Sequence, residues 1–409
     1  MTSISTIALG DPAVAEIILG QSPPSSTYNE SKEGLPFYQG KVDFGFISPT
    51  ARVWCRGGRQ FARKGDVLVS VRAPVGDVNL ATEDCAIGRG IAAVRANRDV
   101  DPWFLFFAMQ HVRPVLAQQA TGTTFANVNK ATLAGLRIPA FSLDCQKSLS
   151  MQLRYILSCI ETEQMLIDAA LQLKRATMRE LFSRGLRGEA QKETEIGLLP
   201  ESWSAVPFEA ALTIAQGQVD PKVEPYASLL NIGPENVEPN TGRLLICQTA
   251  KDLGLISGKY HFRAGDIIYS KIRPYLNKVV MPTFEGVCSS DMYPLRAATG
   301  FESRFLFHYL LSEFFLRQAV PHQLRTGIPR INHAQLADTA FPKPPFADQR
   351  AIIEILDAID SKIDLHHRKR AVLEELFKSL LHKLMTGEIR VDQLNLAALD
   401  AAQRQEVIP

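Results

Sequence analysis

Two rhythms of apolar and polar residues alternate along the chain. In the first rhythm, short β-branched runs start after a glycine and stop near a proline. Asp66-Val67-Leu68-Val69-Ser70-Val71 and Asp266-Ile267-Ile268-Tyr269-Ser270 read as strands. Pro102 to Met109 and Ser303 to Leu311 are apolar, rich in aromatics and compatible with helix. Turn residues are frequent, as at Ser22-Pro23-Pro24-Ser25, Gly57-Gly58, Pro234 and Asn240. These stretches predict compact mixed domains with irregular sheets and many loops.

The second rhythm occurs twice and predicts a long helix each time. Leu149, Leu153, Ile156, Ile160, Ile167, Ala170 and Leu181 form one stripe. Ile352, Leu356, Ile359, Ile363, Leu373, Phe377, Leu380 and Leu384 form the other. Steps of four and three alternate, as in a coiled-coil seam. Asp144 and Asp348 stand where N-caps are wanted, and Gly185 and Gly387 where the helices should end. Each segment runs for roughly 39 residues, or about 58 Å. Neither can bury its stripe alone, so antiparallel pairing of the two is expected; the alternative is that each folds back on its own domain. Glu163, His366 and Arg370 break the stripes and either fix register or mark a solvated stretch.

The chain is an internal duplication. Gly65 to Pro74 (GDVLVSVRAP) aligns with Gly265 to Pro274 (GDIIYSKIRP) at a shift of 200. Phe104-Leu105-Phe106 aligns with Phe305-Leu306-Phe307 at 201, and Val128-Asn129, Leu133 and Pro139 align with Ile331-Asn332, Leu336 and Pro342 at 203. Ordered blocks at nearly one shift indicate tandem copies, and packed copies usually adopt an approximate two-fold axis. The expected fold is α+β: two α/β domains related by a pseudo-two-fold axis and separated by a long antiparallel two-helix coiled coil. The expected segments are 1–143 (first domain), 144–194 (first helix and linker), 195–345 (second domain) and 346–409 (second helix and tail).

Composition narrows the function. The chain has 409 residues, 46% of them hydrophobic and 22% charged, as expected of a globular protein with more than one domain. There is neither an apolar run long enough for a membrane span nor a secretory pattern at the start, so a cytoplasmic location is expected. The six cysteines never fall at C-x-x-C spacing and read as reduced, mostly buried thiols. A net charge of +2 is low for a protein that grips nucleic acid unaided, so partners are expected to share the task.

The doubled set of motifs resembles the type I restriction-modification specificity subunit. In the second copy these are RTGIPRINHAQL, FPKPPFADQRAIIEIL and LLHKLMTGEIRV; in the first they are TGTTFANVNKATL, RIPAFSLDCQKSLSMQL and MRELFSRGLRG. The junction EIGLLPESWSAVPF resembles the lead-in to that family's second recognition domain. The first copy departs slightly, with Cys145 between Asp144 and Gln146. The resemblance spans nearly the whole chain. It implies two target-recognition domains, each reading half of an asymmetric bipartite site on double-stranded DNA. It also implies helices that set half-site spacing and dock two methyltransferase subunits, which restriction subunits then join. The chain itself would be non-catalytic and hold no cofactor or metal. S-adenosylmethionine, ATP and Mg would belong to the partner subunits.

Missing motifs agree with that division of labour. No Asn/Asp-Pro-Pro-aromatic tetrapeptide occurs, and the nearest phosphate-loop match, Gly254 to Tyr260, is one residue short and lacks the Ser/Thr. Candidate DNA contacts are Lys, Arg, Gln, Asn and Thr in loops. In the first copy these are Gln39, Lys41, Arg72, Arg89, Thr123, Thr124 and Asn127; in the second they are Asn236, Lys271, Arg273, Lys278, Arg325 and Arg330. Arg72 aligns with Ile272 and Ala73 with Arg273, so the two half-sites should differ. The helix length caps their separation near one and a half DNA turns. The rival readings are a nuclease with an unrecognised site and a structural adaptor that binds no DNA.

Overall fold

A computed structural model describes residues 4–120, 128–320 and 329–394. The chain forms two compact units: residues 1–162 with 369–409, and residues 163–368. The units follow space rather than chain order, because each long helix contributes to both. These helices are Leu143–Arg184 (42 residues) and Phe346–Thr386 (41 residues).

Local chemistry explains where these helices begin and end. Gly185 (φ 64°) and Gly387 (φ 70°) leave them in the left-handed region that glycine enters without a Cβ penalty. The starts differ from expectation. Asp144 and Asp348 lie inside the first turn, where a carboxylate complements the helix dipole, and are not caps. Just before the second helix, the Pro345 carbonyl takes the N–H groups of Asp348 and Gln349 (3.0 and 3.1 Å).

In the first unit, four antiparallel strands run in the order Ala15–Leu19, Ile91–Ala96, Val67–Ser70, Val78–Leu80. A five-stranded sheet has the order Tyr28–Asn29, Trp54–Cys55, Leu35–Tyr38, Cys85–Ile87, Phe61–Ala62. Its one parallel pairing sets Phe37 and Tyr38 against Ala86 and Ile87. The helix Pro102–Gln119 supplies most of the aromatic core. It starts at Asp101, whose carboxylate accepts the Phe104 N–H (2.8 Å), with proline at the first helical position.

The second unit repeats this plan. Leu212–Ile214, Met292–Ala297, Ile267–Ser270 and Val279–Val280 form the equivalent four-stranded sheet. Gln248–Thr249, Leu230–Ile232, Gly286–Cys288 and Lys259–Phe262 repeat the central order of the five-stranded sheet, including the parallel pairing. The fifth strand differs. In the first unit Tyr28–Asn29 is added beside Trp54–Cys55; in the second, Gln218–Val219 is added at the opposite edge, beside Lys259–Tyr260.

Buried polar pairs are duplicated too. Arg95 donates to the buried Asp66 (2.8 and 3.0 Å), as Arg296 does to Asp266 (3.0 to 3.2 Å). Gln146 and Gln349, both buried, join each long helix to its domain. Gln146 Oε1 accepts the Asp101 N–H (2.9 Å) and its Nε2 donates to the Phe141 carbonyl (2.8 Å). Gln349 accepts from Glu302 (2.9 Å) and donates to the carbonyls of Gly300 and Pro344 (3.0 and 3.1 Å).

Within each unit, parts of both long helices pack together and against the sheet-bearing domain. In the first unit Leu149, Leu153, Ile156 and Ile160 share one core with Leu380, Leu381 and Leu384, and Phe377 meets Phe107 at 6.0 Å between ring centroids. In the second, Met178, Leu181 and Phe182 share a core with Ile352 and Leu356, and Phe182 meets Phe305 edge-on at 5.7 Å. The helices there run antiparallel, since Glu163 meets His366 (2.7 Å) while Lys174 meets Asp360 (2.6 Å). The helices therefore pair, and the same apolar stripes also support the domains. No helix among the described residues is long and apolar enough to cross a membrane.

Candidate nucleic-acid interface

The duplicated central strand ends at the same place in both units, and a returning segment is fastened there. In the first unit Val71 donates its N–H to Gly90 (2.9 Å) and accepts from Val128 (3.0 Å). In the second Lys271 donates to Asp291 (3.0 Å) and accepts from Ile331 (2.9 Å). The backbone is the same, and the side chains it presents are not.

In the first unit Arg72 and Arg89 are exposed, and Gln39 lies beside Arg89. The turn Gly88-Arg89-Gly90 lies flat on Gln39: Gly88 donates to the Tyr38 carbonyl (2.8 Å), and a Cβ at Gly90 would strike the Gln39 carbonyl. Only glycine allows that approach. The bond from Val71 to Gly90 (2.9 Å) sets the backbone next to Arg72 against the same turn. Lys41 is paired with Asp77 (2.7 Å), which also takes Arg113 (2.6 Å). Thr123, Thr124 and Asn127 lie outside the described residues, as does Arg325 in the second copy.

In the second unit Lys271, Arg273 and Arg330 converge. Arg330 forms a bridge with Ile272 and its guanidinium sits 3.5 Å from Asp291. Arg273 is exposed, at φ 49°, with its N–H donated to the Pro329 carbonyl (2.8 Å). The Lys271 ammonium lies over the ring of Tyr293 (4.7 Å to its centroid) and near that of Tyr260 (5.8 Å). Burial lowers its affinity for a proton, which Asp291 partly restores. Lys278 and Asn236 belong to a neighbouring turn: Lys278 donates to the Pro234 carbonyl (2.6 Å), while Asn236 accepts from Gly233 (2.9 Å) and donates to Ile246 (2.8 Å).

Sequence reasoning passed over Tyr260, Tyr293 and Asp291. The available signal was the contrast between copies, since Tyr260 aligns with Gln60, just before a matching strand, and Tyr293 with Ala92, inside one. It also passed over a partly buried charged cluster. His308, Asp357 and Asp360 offer ligand atoms within 4.8 Å of one another, a spacing that suits a metal. Cations of the chain already meet both carboxylates. Lys174 pairs with Asp360 (2.6 Å), and Arg304 with Asp357 (2.7 Å) and Asp360 (3.4 Å). The donor set is therefore that of a salt-bridge network rather than of a metal centre.

Known proteins resemble this chain in sequence and fold. Residues 13–172 and 238–375 match the family described as "Type I restriction modification DNA specificity domain". Over 182 residues the chain is 36% identical to the type I restriction enzyme MjaX specificity subunit of Methanocaldococcus jannaschii, covering 44% of this chain and 43% of that protein. Over 313 residues it is 26% identical to the EcoDI specificity subunit of Escherichia coli, covering 70% of each. The fold is similar to the crystal structure of the type I S subunit from M. genitalium (TM-score 0.59, 15% identity, 94% of this chain and 97% of that one). It is also similar to a chain from a structural study of complex assembly and conformational transition in the type I R-M system (TM-score 0.52, 17% identity, 95% and 99% covered). With both copies of the repeat matched by the family description, the chain belongs to the type I restriction-modification DNA specificity family.

Proposed function

We propose that this chain is the DNA-reading subunit of a type I complex and reads an asymmetric site in two parts, one with each mixed domain. One observation carries the reading. The two units share a backbone frame yet present different side chains at the ends of matching strands: Val71, Arg72 and Ala73 in one, Lys271, Ile272 and Arg273 in the other. The fifth strands at opposite sheet edges extend the difference. Equal scaffolds with unlike donors select unlike base sequences. Gln39, Arg72 and Arg89 serve the first half-site; Lys271, Arg273 and Arg330 serve the second.

In this reading the paired helices hold the half-sites at a set spacing and offer their outer faces to two methyltransferase subunits, with restriction subunits joining them. Met151, Met165, Leu173 and Val372 are large apolar residues exposed on the two helices, as docking would require. The chain performs no chemistry of its own. Methyl transfer from S-adenosylmethionine and cleavage driven by ATP and Mg belong to the partners, in the cytoplasm with the DNA. A net charge of +2 agrees with shared electrostatic grip.

Methylation profiling of a strain carrying this chain and its cognate subunits tests the reading. A bipartite, non-palindromic methylated sequence that vanishes on deletion of this chain is expected. A continuous or palindromic sequence, or one that survives the deletion, overturns it. Gel shifts with and without the methyltransferase subunits separate DNA reading from a purely structural adaptor.

A further inference from the structure

We propose that Lys271 is the specificity-determining residue of the second domain and reads a guanine in its half-site, with Tyr260 and Tyr293 as positioning residues. The inference rests on the DNA-reading function above and goes further by naming one residue and one base.

The side chain is fixed from both ends. Its backbone is bonded on each side, to Asp291 and to Ile331, at the end of the duplicated strand. Its ammonium is confined by the ring of Tyr293, itself packed in the sheet opposite Tyr269, and by the ring of Tyr260 on the neighbouring sheet. Among the described residues it forms no ion pair, because the nearby Asp291 carboxylate faces Arg330 (3.5 Å). A half-buried ammonium held against ring faces, with the nearest carboxylate turned to another cation, keeps N–H donors for a ligand. Burial also lowers its hold on the proton, as a partly dehydrated cation requires.

The fold does not need this lysine. In the first unit the same backbone bonds are made by Val71. The positions equivalent to Tyr293 and Tyr260 are Ala92, paired with Val69, and Gln60, whose carbonyl accepts the Ile87 N–H (3.1 Å). All three members of the cluster change together while the frame persists, which marks the cluster as serving recognition rather than folding.

Chemistry selects the base. An ammonium only donates. In the major groove guanine presents two acceptors, O6 and N7. Adenine sets a donor beside its N7, cytosine presents a donor, and thymine places a methyl group beside O4. A phosphate would equally accept the ammonium. However, the exposed Arg273 and Arg330 stand beside it and can take the phosphates, which leaves the seated ammonium for a base edge.

The test uses the complex assembled with its methyltransferase subunits, acting on DNA libraries randomised in each half-site at several salt concentrations. For Lys271→Met, preference for G·C at one position of the second half-site should fall roughly ten- to a hundred-fold, with the first half-site and the salt slope unchanged. Tyr293→Phe, which keeps the ring face, should retain the preference, and Tyr293→Leu should relax it at that same position. Uniform loss across all sequences with a shallower salt slope would make Lys271 a phosphate contact and overturn the proposal. An unchanged specificity profile, or a wild-type second half-site without any specified G·C pair, would overturn it too. Absence of any two-part preference in the wild type would instead remove the function on which it rests.

Discussion

Lys174 Nζ lies 2.6 Å from Asp360 Oδ1, with the two side chains only 4% and 19% exposed. The pair joins the two long helices inside the second unit, where the seam pattern calls for apolar residues. Burial lowers the proton affinity of Lys174 and Asp360 raises it in part. Asp360 has a second cation, Arg304 at 3.4 Å, whereas Asp360 is the ion-pair partner nearest the Lys174 ammonium.

That asymmetry orders two variants. Asp360→Asn strands a buried ammonium and should cost about 3 kcal/mol, within the range for breaking a buried pair. Lys174→Met fills the seam with an apolar chain of similar length and leaves Asp360 with Arg304, so it should cost less. Urea unfolding midpoints would show the order, and equal costs would contradict this account.

The same cluster makes stability depend on pH. His308 is fully buried, and its Nε2 lies 2.8 Å from Asp357. The carboxylate can only accept, so Nε2 carries the proton. Among the described residues Nδ1 has no partner, and a second proton there would be a buried, unpaired donor. Burial therefore pushes the pKa down to about 4; Asp357 and Asp360 oppose the fall, while Lys174 and Arg304 add to it. The unfolded chain takes up this proton below about pH 6.5, and the folded chain refuses it until about pH 4. The resulting stability is complete above pH 6.5 and is lost as pH falls through that window, by on the order of 3 kcal/mol. Comparing urea midpoints of the wild type and His308→Leu across pH 7 to 4 should show a steeper decline in the wild type. Parallel curves would refute the assignment.

The duplicated glutamines give a prediction about shape rather than charge. Gln349 satisfies one backbone N–H and two carbonyls where the second long helix leaves its domain. Gln349→Glu is nearly isosteric but cannot donate to the carbonyls, and it buries a charge. It should destabilise the protein at least as much as Gln349→Ala, by about 2–4 kcal/mol. The equivalent Gln146→Glu should behave likewise, with its effect in the first unit. Thermal midpoints of the four single variants at both positions would check this; a glutamate tolerated better than alanine would show that the amide donors do not matter.

The duplication, the two long helices and their glycine ends were legible because each repeats a local signal: a strand starting at Gly-Asp, a stripe stepping by four and three, a glycine at the left-handed turn. Asp66 and Asp266 could be aligned, although their arginines, Arg95 and Arg296, lie a strand pairing away and only the fold shows the match. Glu163 and His366 were visible as breaks in two stripes, and the structure makes them partners at 2.7 Å. Lys174 leaves no such mark, because it falls between Ala170 and Leu181, where the stripe has no apolar step to interrupt. Asp144 and Asp348 have the residue type of caps but lie inside the first turn, since residue type marks a helix start only to within a turn. Tyr260 and Tyr293 escaped notice because they meet Lys271 from two different sheets, and sequence spacing carries no trace of that approach.

Arg273 allows the backbone and the side chain to be tested apart. Its φ of 49° costs a non-glycine residue energy, and the bond from its N–H to Pro329 (2.8 Å) helps hold it there. Arg273→Ala removes the guanidinium and keeps the strained backbone. Arg273→Gly removes the same group and relieves the strain, so it should be the more stable of the two by up to about 1 kcal/mol. If Arg273 contacts the second half-site, both variants should weaken binding there to a similar degree, several-fold, despite the difference in stability. Assembly with the methyltransferase subunits and preference at the first half-site should be intact in both. Binding by titration and unfolding by urea, measured on the same preparations, distinguish the cases. Affinity that rises and falls with stability would make Arg273 a structural residue, and affinity lost equally in both variants would make it a DNA contact.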